Sequence, residues 1–348
     1  MLSPWEYPDF DDHEVVHFVN DAQSGLKAVI AVHSTHLGPA AGGVRFWHYE
    51  ESGDAVADVL RLSRGMSFKN AMAGLALGGG KAVILADQAR TKTPEMLAAY
   101  GRAVERLGGS YVTAEDVGVG VPDLVAVSKH TKYVAGLPAA EGEVGGDPGP
   151  HTSYGVFLGV KAAAKRKLGR ESLSGLHIAI QGAGSVAGGL ARHAAEEGAR
   201  LSIADIDQAR AQRLADEVGG RTVPAADILT LDADILSPNA LGAILDEESI
   251  AGLRVPVVAG GANNQLATQA DGDRIHSRGI LYAPDYVINA GGIINVASEY
   301  LGGSEAEVKA KIERIPGRLE SIWDESDSTG RNPAAVADDM ARRLIGRA

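Results

Sequence analysis

An apolar strand that runs directly into a glycine-rich turn is the feature that constrains this chain most. The segment is His177-Ile-Ala-Ile-Gln-Gly182-Ala-Gly184-Ser-Val-Ala187, which ends in the pattern Gly-x-Gly-x-x-Ala. In a strand–turn–helix unit the first glycine permits the tight turn, the second lets backbone N–H groups approach a pyrophosphate, and the small third residue lets the helix pack on the strand. The anion then lies at the helix N-terminus. The sequence therefore predicts a dinucleotide-binding turn.

The turn lies within a long alternation of predicted strands and helices. Ser185 and Val186 open the helix, and Asp205 ends the next strand about 20 residues on, where a carboxylate accepts hydrogen bonds from the adenosine ribose. Such a carboxylate repels a 2′-phosphate and favours NAD, although Arg210 and Arg213 on the following helix leave NADP open. A glycine-rich turn without a ligand is the competing interpretation. The predicted strands and helices are 176–181, 186–197, 200–204, 208–218, 233–236 and 255–259.

The length of 348 residues exceeds what one hydrophobic core usually serves. The strongest run of Gly, Pro and acidic residues lies between 136 and 151, which predicts a first domain over 1–140 and a second over 141–330. A helix in 331–348 is expected to return to the first domain. The sequence thus predicts an α/β fold with two domains: an N-terminal α/β substrate domain with a mixed sheet, and a Rossmann-like, doubly wound NAD-binding domain, with a cleft between them.

Composition excludes several classes of function. A net charge of −12 gives no global attraction to phosphate backbones or anionic lipid, so neither a nucleic acid nor a membrane is expected as a partner. The chain has no cysteine, which removes disulfides, thiolate metal sites and thiol nucleophiles. The ten histidines show no paired spacing of a metal site, and no metal is expected. The first residues lack the pattern of an export signal, so a cytoplasmic location is expected.

Two lysines interrupt apolar, small-residue sequence in the first half. Lys81 lies between Gly78-Gly79-Gly80 and an apolar strand over 82–85, and burial there would lower the pKa of its ammonium group towards neutrality. A lysine tuned in this way can act as a general base. Lys69, near the end of a predicted helix over 53–75, would lower the pKa of Lys81 further and can hold a carboxylate. The alternative is two solvated lysines at element ends, but three consecutive glycines indicate a close backbone approach.

Asp116 follows a short predicted strand, 111–113, and precedes a glycine. On such a loop a carboxylate can orient a lysine or a substrate ammonium group. A turn-forming or helix-capping aspartate is an equally good local interpretation.

Taken together, these segments resemble the leucine, phenylalanine and valine dehydrogenase branch of the Glu/Leu/Phe/Val amino acid dehydrogenase family. The resemblance covers nearly the whole chain. It is carried by these segments: 37–43 followed by Arg45, 64–85, 113–116, Thr152 with 154–155, the dinucleotide turn, 260–264 and 284–292.

The resemblance implies a reaction and roles for individual residues. Lys69, helped by Asn263, would bind the substrate α-carboxylate, and Lys81 would activate water, with Asp116 beside it. Hydride leaves Cα for NAD to give an imine, which adds water and collapses to a 2-oxo acid and ammonia; the reverse is reductive amination. The first domain would bind substrate and mediate assembly of a homo-oligomer, with Trp5, Tyr7, Phe10 and Trp47 as candidates for an interface or for core.

The family also implies the lining of the two ligand sites. Besides the turn and Asp205, the implied cofactor residues are Thr152, Asn239, Ala240, Asn263 and Asn289. The implied side-chain pocket is small or apolar and consists of Ala41, Gly42, Met66, Ala114, Ile293 and Val296. A charged substrate side chain would be left unpaired there, so an apolar L-amino acid is expected, branched-chain or aromatic.

Three other functions remain open. A glutamate-type dehydrogenase of the same family is disfavoured because no basic residue stands at the implied pocket positions. A noncatalytic dinucleotide-binding protein would keep the fold and the turn, but the intact Lys69, Lys81 and Asp116 weigh against it. A simple alcohol or hydroxy-acid dehydrogenase is more distant.

Overall fold

The computed structural model describes residues 3–138 and 144–347. The chain forms two compact units: unit 1 contains Met1–Gly146, Val296–Glu307 and Ala341–Ala348, and unit 2 contains Asp147–Asn295 and Val308–Met340. The predicted boundary at 140/141 lies outside the described residues. Two late segments belong to unit 1, one of which is the end of the C-terminal helix.

Unit 1 is built around a mixed five-stranded sheet. The strands follow the order β1-β2-β4-β3-β5, antiparallel from β1 to β4 and parallel among β4, β3 and β5. The mixed sheet predicted for the first domain is confirmed. The elements are β1 (Val15–Asp21), β2 (Leu26–Ser34), β3 (Ala40–Trp47), α1 (Ser52–Met72), β4 (Gly78–Leu85), α2 (Pro94–Arg106), β5 (Tyr111–Ala114) and α3 (Val121–Ser128).

Helices cover both faces of this sheet. Side chains of successive strand residues point to opposite faces, and both sets of β2 side chains are buried. Val29 and Ala31 pack with α1, whereas Ile30 and Val32 pack with α2 and α3. Of the N-terminal aromatic residues, Tyr7 and Phe10 pack against the α1 side, so they contribute to core, and the side chain of Trp5 is 74% exposed.

The three glycines form the start of β4, whereas the sequence predicted a strand only from residue 82. A Cβ atom at Gly78 would lie 1.9 Å from the carbonyl oxygen of Ser34, and one at Gly79 would lie 2.0 Å from the backbone nitrogen of Ser67. A Cβ atom at Gly80 would lie 2.7 Å from Cδ2 in the ring of Tyr111. The close approach indicated by these glycines is therefore an approach of protein atoms from β2, α1 and β5.

Unit 2 contains a six-stranded sheet in which every pairing is parallel. The elements up to the last strand are α4 (Gly149–Leu168), β6 (His177–Gln181), α5 (Ser185–Glu196), β7 (Arg200–Ala204), α6 (Gln208–Val218), β8 (Arg221–Thr222), β9 (Ile235–Pro238), α7 (Glu247–Gly252), β10 (Val257–Val258), α8 (Gln269–Ser277) and β11 (Leu281–Tyr282). The helices that follow along the chain, parts of which belong to unit 1, are α9 (Asp285–Ile288), α10 (Gly291–Tyr300), α11 (Glu305–Ile312), α12 (Ile315–Thr329) and α13 (Pro333–Leu344).

The strand order β11-β10-β9-β6-β7-β8 places the first strand of the unit at the centre of the sheet. The chain moves outwards on one side through β7 and β8 and then returns to β9 on the other side of β6. The doubly wound sheet predicted from the alternation is confirmed. A crevice is expected where the order reverses, outside the carboxyl ends of β6 and β9.

Within the described part of the chain, no helix combines the length and the apolar character that crossing a membrane requires.

A pair of glycine substitutions tests the packing of β4. Gly78→Ala should lower the free energy of unfolding by about 3 kcal/mol, because the added methyl group meets backbone that cannot move aside. Gly65→Ala is the matched control: Gly65 lies within α1, and a methyl group added there would have no neighbouring atom within 4 Å, so alanine should add roughly 0.5 to 1 kcal/mol. Urea denaturation measures both. Equal midpoints for the two variants would show that β4 tolerates a side chain there.

Candidate active site

Lys81 lies in the middle of β4 with its side chain on the face that α1 covers. The residue is 7% exposed, and its Nζ lies 3.0 Å from Oδ2 of Asp116. Burial lowers the pKa of Lys81 below its ordinary value, and the charge of Asp116 opposes this without reversing it. The structure thus brings together the two residues that were predicted to act together, and a buried amine of this kind can serve as a base.

Asp116 occupies a turn just after β5. The turn is closed by a hydrogen bond from the Val119 N–H to the Asp116 carbonyl oxygen, at 2.9 Å. Burial alone would raise the pKa of the Asp116 carboxyl, but the charges of Lys81 and Arg45 outweigh it, and the pKa is held below its usual value. Asp116 is therefore a half-buried carboxylate with cationic partners, and a role confined to shaping the turn does not account for it.

The backbone register explains how the lysine and the aspartate meet. Gly43 on β3 pairs with Ala114 on β5, two residues before Asp116. A Cβ atom at Gly43 would lie 2.9 Å from Cβ of Asp116 and 2.2 Å from the carbonyl oxygen of Glu115. Only glycine at this position lets the loop after β5 come so close to β3.

Arg45 completes the charged group, and no role was predicted for this residue from the sequence. Its Nε donates to Oδ2 of Asp116 at 3.0 Å, and its Nη1 donates to Oδ2 of Asp58 on α1 at 2.8 Å. The hydroxyl of Tyr49 also donates to Oδ2 of Asp58, at 2.7 Å. Gly43 and Ala114 are paired in parallel, and Arg45 and Asp116 each lie two residues further along their chains. A correct prediction of this strand pairing would therefore have indicated the contact between Arg45 and Asp116.

Lys69 lies in the last turn of α1 and is half-buried. The end of that helix is fixed against β4, because the Asn70 side-chain amide donates to the Gly78 carbonyl oxygen at 2.6 Å. Ser67, in the same turn, packs against Gly79. Lys69 therefore extends from the helix end that adjoins the glycine stretch preceding Lys81.

Four of the predicted pocket residues surround the same part of the sheet. Ala41 and Gly42 lie on β3, Ala114 ends β5, and Met66 lies on α1. A Cβ atom at Gly42 would lie 1.8 Å from the carbonyl oxygen of Gly80 and 3.1 Å from Cγ of Met66.

The last two predicted pocket residues, Ile293 and Val296, lie on α10 and are half-buried. Val296 is the first residue of a segment that belongs to unit 1, and Ile293 belongs to unit 2. The structure therefore places Ala41, Gly42 and Ala114 on neighbouring strands with Met66 next to Gly42, and it assigns the two α10 residues to different units.

In unit 2 the predicted dinucleotide turn lies where the strand order reverses. Gly182 adopts φ of +95°, and a Cβ atom there would lie 3.1 Å from both Cβ of Ala240 and the carbonyl oxygen of Asn239, which follow β9. A Cβ atom at Gly184 would have no neighbour within 4 Å, so the space above it is open. The turn has the shape that a bound pyrophosphate requires.

The helix after the turn presents its N-terminus to that space. Ser185 begins α5, and its N-cap residue, Gly184, provides no side-chain cap. Ala187 is fully buried, as the close packing of the helix on the strand requires. A Cβ atom at Gly261 would lie 2.8 Å from the side chain of Val186, so this glycine also permits a close contact.

Asp205 directly follows β7, beside the turn. Its Oδ2 accepts from the Ala183 N–H and its Oδ1 from the Asp207 N–H, each at 2.8 Å. Arg210 faces the same acids, with Nη1 4.0 Å from Asp205 Oδ2 and Nη2 3.7 Å from Asp207 Oδ2. The guanidinium of Arg210 is thus directed towards two carboxylates.

Three predicted asparagines meet around Gly261. Asn239 Oδ1 accepts from the Gly261 N–H at 2.8 Å, and Asn289 Nδ2 donates to the Gly261 carbonyl oxygen at 3.1 Å and to Asn263 Oδ1 at 2.8 Å. The buried Oδ1 of Asn289 has no hydrogen-bond partner among the described residues. Thr152 lies on α4 and donates to the Pro148 carbonyl oxygen at 2.8 Å. The open cradle, the uncapped helix and the unsatisfied acceptor fit a dinucleotide that carries an amide donor.

Across residues 3–138 and 144–347, no three side chains among the histidines, aspartates and glutamates are grouped so that they could hold a metal ion.

Comparisons with known proteins agree with both units. A profile described as the Glu/Leu/Phe/Val dehydrogenase dimerisation domain matches residues 13–133, and one described as Glutamate/Leucine/Phenylalanine/Valine dehydrogenase matches residues 202–341. Leucine dehydrogenase from Bacillus subtilis is 48% identical over 99% of this chain and 94% of its own length. The chain belongs to the Glu/Leu/Phe/Val dehydrogenase family.

Two further relatives extend the comparison. Valine dehydrogenase from Streptomyces virginiae is 44% identical over 98% of this chain and 96% of that protein. The crystal structure of L-tryptophan dehydrogenase from Nostoc punctiforme matches with a TM-score of 0.86 and 39% identity, covering 96% of each chain. The chain is thus an oxidoreductase of the amino acid dehydrogenase class, whose members use a nicotinamide cofactor. Family membership removes the alcohol and hydroxy-acid dehydrogenase interpretation.

Proposed function

We propose that the chain catalyses the reversible, NAD-dependent oxidative deamination of an apolar L-amino acid to its 2-oxo acid and ammonia. The observation that carries the proposal is the buried Lys81 with its Nζ 3.0 Å from Asp116. The names of its relatives, leucine, valine and L-tryptophan dehydrogenase, support an apolar substrate.

Lys81 acts as the base. In its neutral form its Nζ takes a proton from water as that water adds to the protonated substrate imine. Lys81 then returns this proton to the amino group of the carbinolamine, and it takes the hydroxyl proton as the C–N bond breaks to give the 2-oxo acid and ammonia. Its lowered pKa makes the neutral form accessible, and alkaline pH increases its fraction. Asp116 holds the amine in position.

Lys69 binds the substrate α-carboxylate. A lysine ammonium group is a compact charge with three donors, which suits a carboxylate at the end of α1. The substrate side chain lies near Ala41, Gly42, Met66 and Ala114, where a glutamate carboxylate would lose water without gaining a partner. Apolar side chains are therefore preferred.

The cofactor site in unit 2 is assigned to NAD. The bound dinucleotide supplies the acceptor for the substrate hydride. Backbone N–H groups of the Gly182–Gly184 turn and the N-terminus of α5 receive the pyrophosphate, and Asp205 accepts from the adenosine ribose. Asp205 repels a 2′-phosphate, and the guanidinium of Arg210 faces Asp205 and Asp207 at 4.0 and 3.7 Å, so NADP is disfavoured.

A substrate panel tests this function. NADH absorbance is followed at alkaline pH with L-Leu, L-Val, L-Ile, L-Met, L-Phe, L-Tyr, L-Trp, L-Glu and L-Ala, each with NAD and with NADP. We expect turnover of apolar members with NAD and little with L-Glu or NADP. Turnover of L-Glu alone would support the glutamate-type alternative. No turnover with NAD still bound would support a noncatalytic binding protein.

Substitution of the two lysines separates their roles. Lys81→Met should lower kcat by roughly 10² to 10⁴-fold with NAD binding retained, because the proton acceptor is lost. Lys69→Met should chiefly raise KM, and the exposed Lys129→Met serves as the control with wild-type kinetics. Isothermal calorimetry with NAD checks that each variant keeps its cofactor site. Wild-type turnover of Lys81→Met would remove Lys81 from the mechanism.

A homo-oligomer is also part of the proposal. The profile that matches residues 13–133 is described as a dimerisation domain, and β1 is an edge strand that leaves Phe18 58% and Val15 41% exposed. An exposed apolar edge strand is a natural pairing surface for a second copy. Sedimentation velocity should give a mass of at least two chains for the wild type and a smaller mass for Phe18→Lys. A wild-type protein that is monomeric at micromolar concentration would contradict this proposal.

A further inference from the structure

We propose that Arg45 is a positioning residue for the deamination: it shares the carboxylate of Asp116 with Lys81 and so keeps Lys81 available as a neutral base. This inference rests on the proposed function of Lys81. In the proposed chemistry Arg45 contacts neither the attacking water nor the substrate, so its effect passes through Asp116.

The geometry of the carboxylate carries the argument. One oxygen of Asp116, Oδ2, lies 3.0 Å from Lys81 Nζ and accepts from Arg45 Nε at the same distance of 3.0 Å. A carboxylate that faced Lys81 alone would favour the protonated lysine strongly, since opposite charges attract more at low dielectric. A second, permanent cation on the same oxygen weakens that preference, and its charge also repels a charge on Lys81.

Arg45 suits this role because its charge and its direction are both fixed. Burial would lower the pKa of Arg45, but Asp116 and Asp58 outweigh burial and raise it, so the guanidinium stays charged. Its two ends bind different carboxylates, Asp116 through Nε and Asp58 through Nη1. A lysine carries charge but has no fork with which to span two carboxylates.

The charged and titratable groups that face Lys81 or Arg45 come from four parts of unit 1 besides β4. Arg45 extends from β3, Asp58 from α1, Asp116 from the loop after β5, and Tyr49 from the segment between β3 and α1. Asp58 Oδ1 also accepts from Arg61 Nη2 at 2.8 Å. Arg61 has no contact with Asp116 and is 42% exposed, so it provides a matched control for the loss of an arginine beside Asp58.

A surface groove gives access to Arg45 from solvent. The groove has a volume of about 480 Å³ and is lined by Arg45, Tyr49, Asp58 and Arg61 among others, whereas Lys81 and Asp116 are not part of its lining. Removal of the Arg45 side chain would therefore leave a space that a small cation can enter without passing Lys81. This makes chemical rescue by guanidinium ion a direct test.

The experiment measures kcat/KM against pH for the wild type, Arg45→Ala and Arg61→Ala, with the amino acid that the panel identifies. We expect the pH of half-maximal kcat/KM to move upwards in Arg45→Ala, with about a tenfold loss near neutral pH and much of the rate recovered at alkaline pH. Guanidinium chloride at tens of millimolar should move the profile back, and sodium chloride at equal ionic strength should not. Arg61→Ala should follow the wild type.

Two outcomes would overturn the inference. One is a pH profile of kcat/KM in Arg45→Ala that is not shifted. The other is a loss of kcat/KM that is equal at every pH and is not restored by guanidinium, which indicates a structural role. If Arg45→Ala does not fold, Arg45→Gln decides, because it keeps most of the side-chain length and loses the charge; a wild-type profile would overturn the inference and an upward shift would support it. Failure of the proposed function is seen separately, as wild-type turnover in Lys81→Met.

Discussion

The packing of β4 against its neighbours without side chains is the constraint on which the rest of unit 1 depends. Gly78, Gly79 and Gly80 let β2, the end of α1 and the ring of Tyr111 come within distances that any Cβ atom would prevent. Gly42 does the same on β3, against the carbonyl oxygen of Gly80. Helix α1 therefore ends directly over the strand that carries Lys81. Glycine loses more backbone entropy on folding than other residues, and this packing is what offsets the loss.

Lys81 is buried by this arrangement, and its burial determines the electrostatics around it. An isolated ammonium group in such a place would be strongly disfavoured, so charges are found there only with partners. Asp116 supplies the counter-charge, and Arg45 and Asp58 extend the alternation of signs towards the surface groove. The arrangement keeps Asp116 ionised while the pKa of Lys81 remains low. One set of contacts thus balances the charges in this region and keeps the neutral form of Lys81 accessible.

The candidate site in unit 2 is formed mainly by backbone groups, whereas the candidate site in unit 1 is formed by charged side chains. At the reversal of strand order, the turn after β6 and the segment after β9 approach each other closely at Gly182, and the N-terminus of α5 is left without a side-chain cap. The asparagines around Gly261 tie the neighbouring loops together and leave one buried acceptor unsatisfied. An uncapped helix N-terminus suits an anion and an unpaired amide oxygen suits an amide donor, and the geometry of the sheet places both beside the turn.

Local patterns in the sequence determined much of this protein. The bounds predicted for β7 and α6 agree with the structure. Residue type, spacing and family resemblance also predicted the dinucleotide turn, the mixed sheet and the proximity of Lys81 to Asp116. Tertiary structure alone decided that β4 begins at Gly78, that 296–307 belongs to unit 1, and that Arg45 joins Asp116 to Asp58. The physical reason is distance along the chain. Periodicity and turn chemistry act over a few residues, whereas these contacts depend on which strands pair and in which register, and that pairing is settled by the packing of the whole unit.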